Sequence, residues 1–282
     1  MPAPTADAEW GFPNPATPPG SSAFYSVLFA PQRLRDDLAA LLGWRHVIGS
    51  VVDQVSDPGV AARKLEWWQG ELDRIFSAAG GHPLSRSLAP LIRRSKLPKQ
   101  PFVDVIWGTE AVLTDRRVKD FEALAAWADL DQGALFELIA RGHGESRPEI
   151  LSGARRAGAY CALVDLLRRS GRLLRQGRSG FLPGDRLALY GLSHAEAAVS
   201  SNRARLPPLL AEIAEDLAGH DEDLDLDLRR LPVTIRIRVR LMDRLLAELA
   251  ASRFELIDQH IALTPIRKLW NAWRESQRRE RT

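Results

Sequence analysis

The sequence predicts an all-α fold in one domain, and three observations carry that reading. From Ser22 onward, apolar residues recur at three- and four-residue spacings along most of the chain. The one stretch with a strand's period of two, Val233 to Leu241, has no second such stretch to pair with. A lone strand would leave its backbone polar groups unsatisfied, so this stretch too is read as helix. No unit repeats at the roughly 20–50-residue periods of solenoids. The 282 residues are therefore read as a single body, long enough to bury a sizeable core.

In chain order, residues 1–20 hold Pro2, Pro4, Pro13, Pro15, Pro18 and Pro19 with little apolar periodicity. Such a segment reads as a mobile leader, although Trp10 and Phe12 offer side chains able to dock. The helical body covers 21–276, followed by a polar tail at 277–282. Phe24, Leu28, Leu34, Leu38, Leu41 and Leu42 follow helical spacing, broken at Pro31. The apolar run Val47 to Val55 stops at Ser56-Asp57-Pro58, where a new helix starts. Leu65, Trp68, Leu72 and Ile75 mark one face of an amphipathic helix from Val60 to Ala78, ended by Gly80-Gly81-His82-Pro83. Shorter helices are predicted over 84–96, 100–113, 118–128 and 130–141, and a long one over 154–176. Pro183-Gly184 opens a loop, and helix resumes over 193–218. Residues 220–228 form an acidic linker that lacks the glycine turn and terminal glutamate of a calcium loop.

Composition excludes several classes. A single cysteine, Cys161, rules out a disulfide framework or a thiolate metal cage and favours a reducing compartment. The 39 basic and 36 acidic side chains nearly cancel, which gives no case for nucleic acid. No stretch approaches the ~18 uninterrupted apolar residues of a membrane span, and the N-terminus does not read as a secretory signal. A cytoplasmic protein is expected. The C-terminal Arg-Glu-Ser-Gln-Arg-Arg-Glu-Arg segment leaves peripheral contact with anionic lipid open.

Leu65-Glu66-Trp67-Trp68-Gln69-Gly70-Glu71-Leu72 resembles the WWRxEL block of the squalene/phytoene synthase family, and further blocks follow in order. Ser22-Ala23-Phe24-Tyr25 is similar to its SxFY opening, and Val51 to Pro58 to its IVDEVSDP. Phe102 to Glu110 looks like FLDLIDGME, Phe121 to Gly133 like FEDLEYC…AG, and Gly158 to Arg168 like GxALQLTNILR. Phe181-Leu182-Pro183 and Ile266-Arg267-Lys268-Leu269 fall where the family carries YLP and RKL. The resemblance spans roughly residues 20–275. It implies a helical bundle of the isoprenoid synthase type around a central cavity. In active members, two aspartate-rich motifs on facing helices hold magnesium ions against the diphosphates of two isoprenoid substrates.

That chemistry needs a leaving pyrophosphate neutralised, and magnesium does so through hard oxygen ligands. Here the first motif reads Gly49-Ser50-Val51-Val52-Asp53, with one aspartate left. In the second, Asp165 replaces the asparagine, Arg168 persists, and the three acidic positions are Arg169, Arg172 and Leu173. Glu110 remains in its block, while Val112 replaces an aspartate. An arginine cannot ligate a metal and stays charged at any reachable pH. No cofactor is expected; Asp53, Glu110 and Asp165 are the candidates for magnesium should a transferase activity survive.

Ser22, Tyr25, Arg168, Arg169 and Arg172 are the candidate binding residues. With Arg175, the arginine series at spacings of one, three and four is read first as a solvated helix face, and second as a fork for a prenyl diphosphate or lipid headgroup. Asp36-Asp37 reads as surface charge beside Arg33 and Arg35, His46 as structural, His143 as a loop residue, and Cys161 as a small core residue. Adjacent Trp67 and Trp68 face different ways, one toward the core. The resemblance points to a divergent member without prenyl transfer, similar to the branch that includes the complex I assembly factor. Such a protein would bind a lipid in its cavity or a protein partner in complex assembly. The alternative is a transferase joining two prenyl diphosphates head to head.

Overall fold

The computed structural model describes residues 10–55, 57–77, 79–220, 228–257 and 259–278. Among these residues the regular structure is all helical. Helix α1 (Ser22–Leu28) starts on Ser21, whose hydroxyl accepts the Phe24 N–H. The two apolar runs on either side of residue 45 form one helix, α2 (Arg35–Gln54), with Asp36 and Asp37 at the positive end of its dipole. Asp57-Pro58 starts α3 (Pro58–Phe76) as the sequence predicts. The Asp57 carboxylate accepts the Gly59 and Val60 N–H groups, and Pro58 sits where no N–H is needed.

Helices α4 (Pro83–Ser95) and α5 (Gln100–Leu113) match the predicted spans closely. Next, α6 (Phe121–Ala128) and α7 (Ala134–Gly142) are joined by a widened π turn, Asp129–Gly133, which carries the helix through the expected break near residue 129. The longest helix, α8 (Pro148–Arg175), has 28 residues. The span predicted as one helix over 193–218 is interrupted. It holds α10 (His194–Ala197), a 3₁₀ segment (Ser200–Arg205) and the first part of α11 (Leu206–His220), after α9 (Gly184–Leu189). Helices α12 (Val233–Ala251) and α13 (Pro265–Ser276) close the chain. Most of the acidic linker and of the polar tail lies outside the described residues.

Helix α8 is the hub, packed against the π turn, α7 and α12. The approach is close enough to demand glycine. A Cβ on Gly158 would lie 2.2 Å from the Gln132 carbonyl oxygen, and one on Gly171 would lie 1.9 Å from that of Leu256.

The period-two stretch forms the first half of α12, which is buried nearly all round between its helical neighbours α1, α7, α8 and α13. Its fully buried polar side chains have partners: Arg236 reaches Glu275 and the Leu231 and Arg278 carbonyls, and Thr234 meets His143. By contrast, residues 10–20 are not the loose leader their prolines indicate. Trp10 is buried over Gly43 of α2, Phe12 stacks on Phe24 at 5.1 Å, and Asn14 donates to the Trp10 and Ala39 carbonyls. One large aromatic side chain buries enough surface to hold a segment whose composition otherwise favours disorder. Residues 1–9 lie outside the described residues.

Candidate functional site

Helices α2 and α8 bring the remnants of the two motifs together. On α2, Arg45, Gly49 and Asp53 are four residues apart and share a face. On α8, Asp165, Arg169 and Arg172, four and three residues apart, also share a face. Arg172 Nη1 stands 3.6 Å from Asp53 Oδ1 across the gap. Asp165 is held by its own helix: Arg168 donates to Oδ1 at 2.6 Å, and Arg169 Nε lies 2.9 Å from Oδ2. Burial alone would raise the Asp165 carboxyl, but Arg169, Arg168 and Arg45 hold it far below the usual carboxylate range.

The remaining candidates turn elsewhere. Ser50 Oγ donates back to the Val47 carbonyl at 2.8 Å. A Cβ added at Gly49 meets nothing within 4 Å, so the lost side chain leaves open space. Tyr25 is buried on α1 with its ring edge-on to Phe24, and among the described residues neither it nor Ser22 bonds to the α8 arginines. Arg175 is exposed at the end of α8.

Other cations join this cluster, and sequence reasoning passed over them as site residues. Arg45 forms a bidentate pair with Asp131 of the π turn, at 2.8 and 2.6 Å. Arg238 of α12 reaches Gln132 at 3.3 Å, while its Nε has no hydrogen-bond partner among the described residues. Lys268 of α13 donates to the Gly20 carbonyl, and burial, with Arg168 and Arg238 nearby, pushes its ammonium below the ordinary lysine range. Arg45 had one visible signal, its place one turn before Gly49. Arg238 had another, as a cation inside an apolar stretch.

The arrangement does not fit magnesium. Among the described residues no three His, Cys, Asp or Glu side chains gather as a metal site would require. Asp53 and Asp165 each face an arginine, and Glu110 lies apart on α5. What the cluster can do is receive an anion, since Arg45, Arg168, Arg169, Arg172, Arg238 and Lys268 outnumber the carboxylates among them.

A cavity of about 810 Å³ opens beside this face, between α5, α6 and the second half of α8. Trp107, Trp127, Leu166, Leu173 and Phe181 give it an apolar wall, and Arg116, Arg117, Lys119 and Arg178 give it cations. Leu173, at an eroded acidic position, is thus part of an oily lining. Glu110 also faces this cavity.

Several residues set aside on sequence are structural. Glu71, in the tryptophan block, is buried and accepts from the Gly81 and His82 N–H groups, Ser85 and Arg74. Burial would raise its carboxyl, yet those bonds hold it at about 2. Trp68 packs edge-on against Trp44 and His82, while Trp67 is exposed. His143 is not a free loop residue: its Nε2 meets Thr234 Oγ1 at 3.0 Å, and burial lowers it to about 4. Asp37 pairs with Arg94 of α4, and Asp36 accepts the Phe12 N–H, instead of pairing with Arg33 or Arg35.

A family model described as squalene/phytoene synthase matches residues 17–274. The chain belongs to the squalene/phytoene synthase family. Within that family it is 26% identical over 181 residues to the chloroplastic phytoene synthase of Narcissus pseudonarcissus, the match covering 61% of this chain and 42% of that protein. It is 23% identical over 207 residues to the complex I assembly factor 6 of Bos taurus, covering 73% and 62%. The matches thus span less than two thirds of either relative's length. Among solved structures, a dehydrosqualene synthase superposes with a TM-score of 0.74 at 15% identity, over 90% of both chains. The squalene synthase HpnC of Alicyclobacillus acidocaldarius gives 0.68 at 19% identity, over 82% of this chain and 89% of that one. At these identities the structures support the shared all-α isoprenoid synthase fold, and the squalene/phytoene synthase motifs must be read residue by residue.

Proposed function

We propose that this squalene/phytoene synthase family member binds an anionic isoprenoid or lipid without transferring it, and serves as a binding or assembly protein. The observation that supports this is the fate of Asp165. A carboxylate in the second motif is neutralised by Arg168 and Arg169 on its own helix, where a metal site would need it free. Fixed guanidinium groups can hold a diphosphate through forked hydrogen bonds without any metal. The apolar cavity with cations in its wall suits a long hydrocarbon chain with an anionic head. Similarity to complex I assembly factor 6 favours a role in building a protein complex, and is an analogy only.

The transferase reading draws on the phytoene synthases among the relatives. The two separate in one experiment. Purified protein with farnesyl or geranylgeranyl diphosphate and magnesium should release no pyrophosphate. The same diphosphates should raise the melting temperature in the presence of a chelator, and Arg169→Asp with Arg172→Asp should remove that rise. Release that vanishes in Asp53→Asn would establish the enzyme instead.

A further inference from the structure

Helix α13 carries an uncovered apolar face. Ile266, Leu269, Trp270 and Trp273 are spaced three and four apart, and their exposures are 80%, 42%, 59% and 45%. They form an arc about 100° wide and roughly 10 Å long. Lys268, Ala272 and Glu275 occupy the opposite side, and Ala272 and Glu275 are buried. The two tryptophan rings lie 5.1 Å apart. Isolated exposed apolar residues are ordinary on a protein surface, but four on one helical face with two indoles among them are not.

One flank of this arc is basic. Arg267, Arg274 and Arg278 run along it, and Arg274 and Arg278 border a groove of about 360 Å³ shared with Arg240 and Arg244 of α12. The groove's carboxylates are already committed: Glu275 is buried against Arg236, Arg240 and Arg278, and Asp243 pairs with Arg240. Arg267 pairs with Glu248 at 2.5 Å. The groove's four arginines outnumber its two acids, and Arg244 and Arg274 lie outside the ion pairs those acids make.

We infer that α13 is a membrane-docking helix that lies flat on an anionic phospholipid surface. Its indoles and Ile266 would enter the headgroup boundary, and the arginine groove would receive lipid phosphates. Tryptophan prefers that boundary, and guanidinium groups beside it meet phosphates with forked hydrogen bonds. Charge also disfavours an antiparallel pairing of two copies through this face, which would set the two arginine rows side by side.

The test is flotation of the intact protein with vesicles of phosphatidylcholine alone or with added phosphatidylglycerol. Binding should rise about tenfold with the anionic lipid and fall steeply in high salt. Trp270→Ser with Trp273→Ser should lose most binding to both kinds of vesicle. Arg244→Glu with Arg274→Glu should lose only the preference for anionic lipid. Unchanged melting temperatures would show that both variants fold. For the wild type, brominated lipid chains should quench tryptophan emission, which needs no variant. Absence of flotation, equal binding to both vesicles, or a dimer abolished by the tryptophan changes would overturn the proposal. So would capture of an acidic protein partner by the wild type without vesicle binding.

Discussion

Arg172 of α8 faces Asp53 of α2 at 3.6 Å, so the last aspartate of the first motif meets a cation on the helix that should have supplied its acidic counterpart. Two helices that would repel each other without a dication are here bridged directly. The pair is half exposed, which sets its strength. Solvent screens such a contact, and its contribution to stability is small.

Asp53→Asn should therefore change unfolding free energy by no more than about 0.5 kcal/mol. Millimolar magnesium should leave the urea midpoint of both proteins unmoved. A midpoint that rises with magnesium only when Asp53 is present would show a metal site after all.

Removing the charge at Asp165 is a different matter, because Arg45, Arg168 and Arg169 would lose their common counter-charge. Asp165→Asn should destabilise by about 2–3 kcal/mol, below the fully buried range because each side chain keeps some solvent contact. Inorganic pyrophosphate should restore more stability to the variant than to the wild type. The folded carboxyl is depressed, so its contribution is present above the unfolded pKa of ~3.9 and is lost as pH falls through the lower folded value. Urea unfolding at pH 7 and at acid pH should show the gap between the two proteins closing.

Glu71 offers the same test deep in the scaffold. Its carboxyl is held at about 2, against an unfolded value of 4.5. That difference corresponds to ~3 kcal/mol at neutral pH, lost as pH drops from about 4.5 toward 2. Glu71→Gln should cost a comparable amount at pH 7, less than half of it at pH 3 and little at pH 2 or below, read from denaturation midpoints.

Two glycines should respond oppositely to alanine. Gly158→Ala drives a Cβ into the Gln132 carbonyl, where backbone must shift, and should lower stability by more than about 2 kcal/mol. Gly49→Ala places a methyl in open space inside a helix and should raise stability by about 0.5–1 kcal/mol. Calorimetric melting of both variants checks the pair.

The parts of this fold that were legible in the sequence are those fixed by near neighbours. Asp57-Pro58 announced the start of α3, and Gly80-Gly81-His82-Pro83 the break before α4, because capping bonds are made within a few residues. Arg168, Arg169 and Arg172 were found by their place in a recognisable block. Trp10 was not placed, since composition reports a segment's own tendencies and says nothing of the α2 glycine that receives the ring. Arg238 and Lys268 were passed over for a similar reason: they reach the cluster from helices far along the chain. The alternation from Val233 to Leu241 misdirects when all sides of a helix are packed, for no polar face remains to reveal the turn.

The π turn at Asp129–Gly133 holds one residue more than an ordinary helical turn would, and its buried Asp131 and Gln132 answer Arg45 and Arg238. Segment length is thereby a chemical constraint. Deleting Asp131 or Gln132 would let the helix close as an ordinary turn with α7 on nearly the same face, and would take away the partner of Arg45 or of Arg238. The count of residues in this short bend is thus as much a part of the electrostatics as the charges themselves.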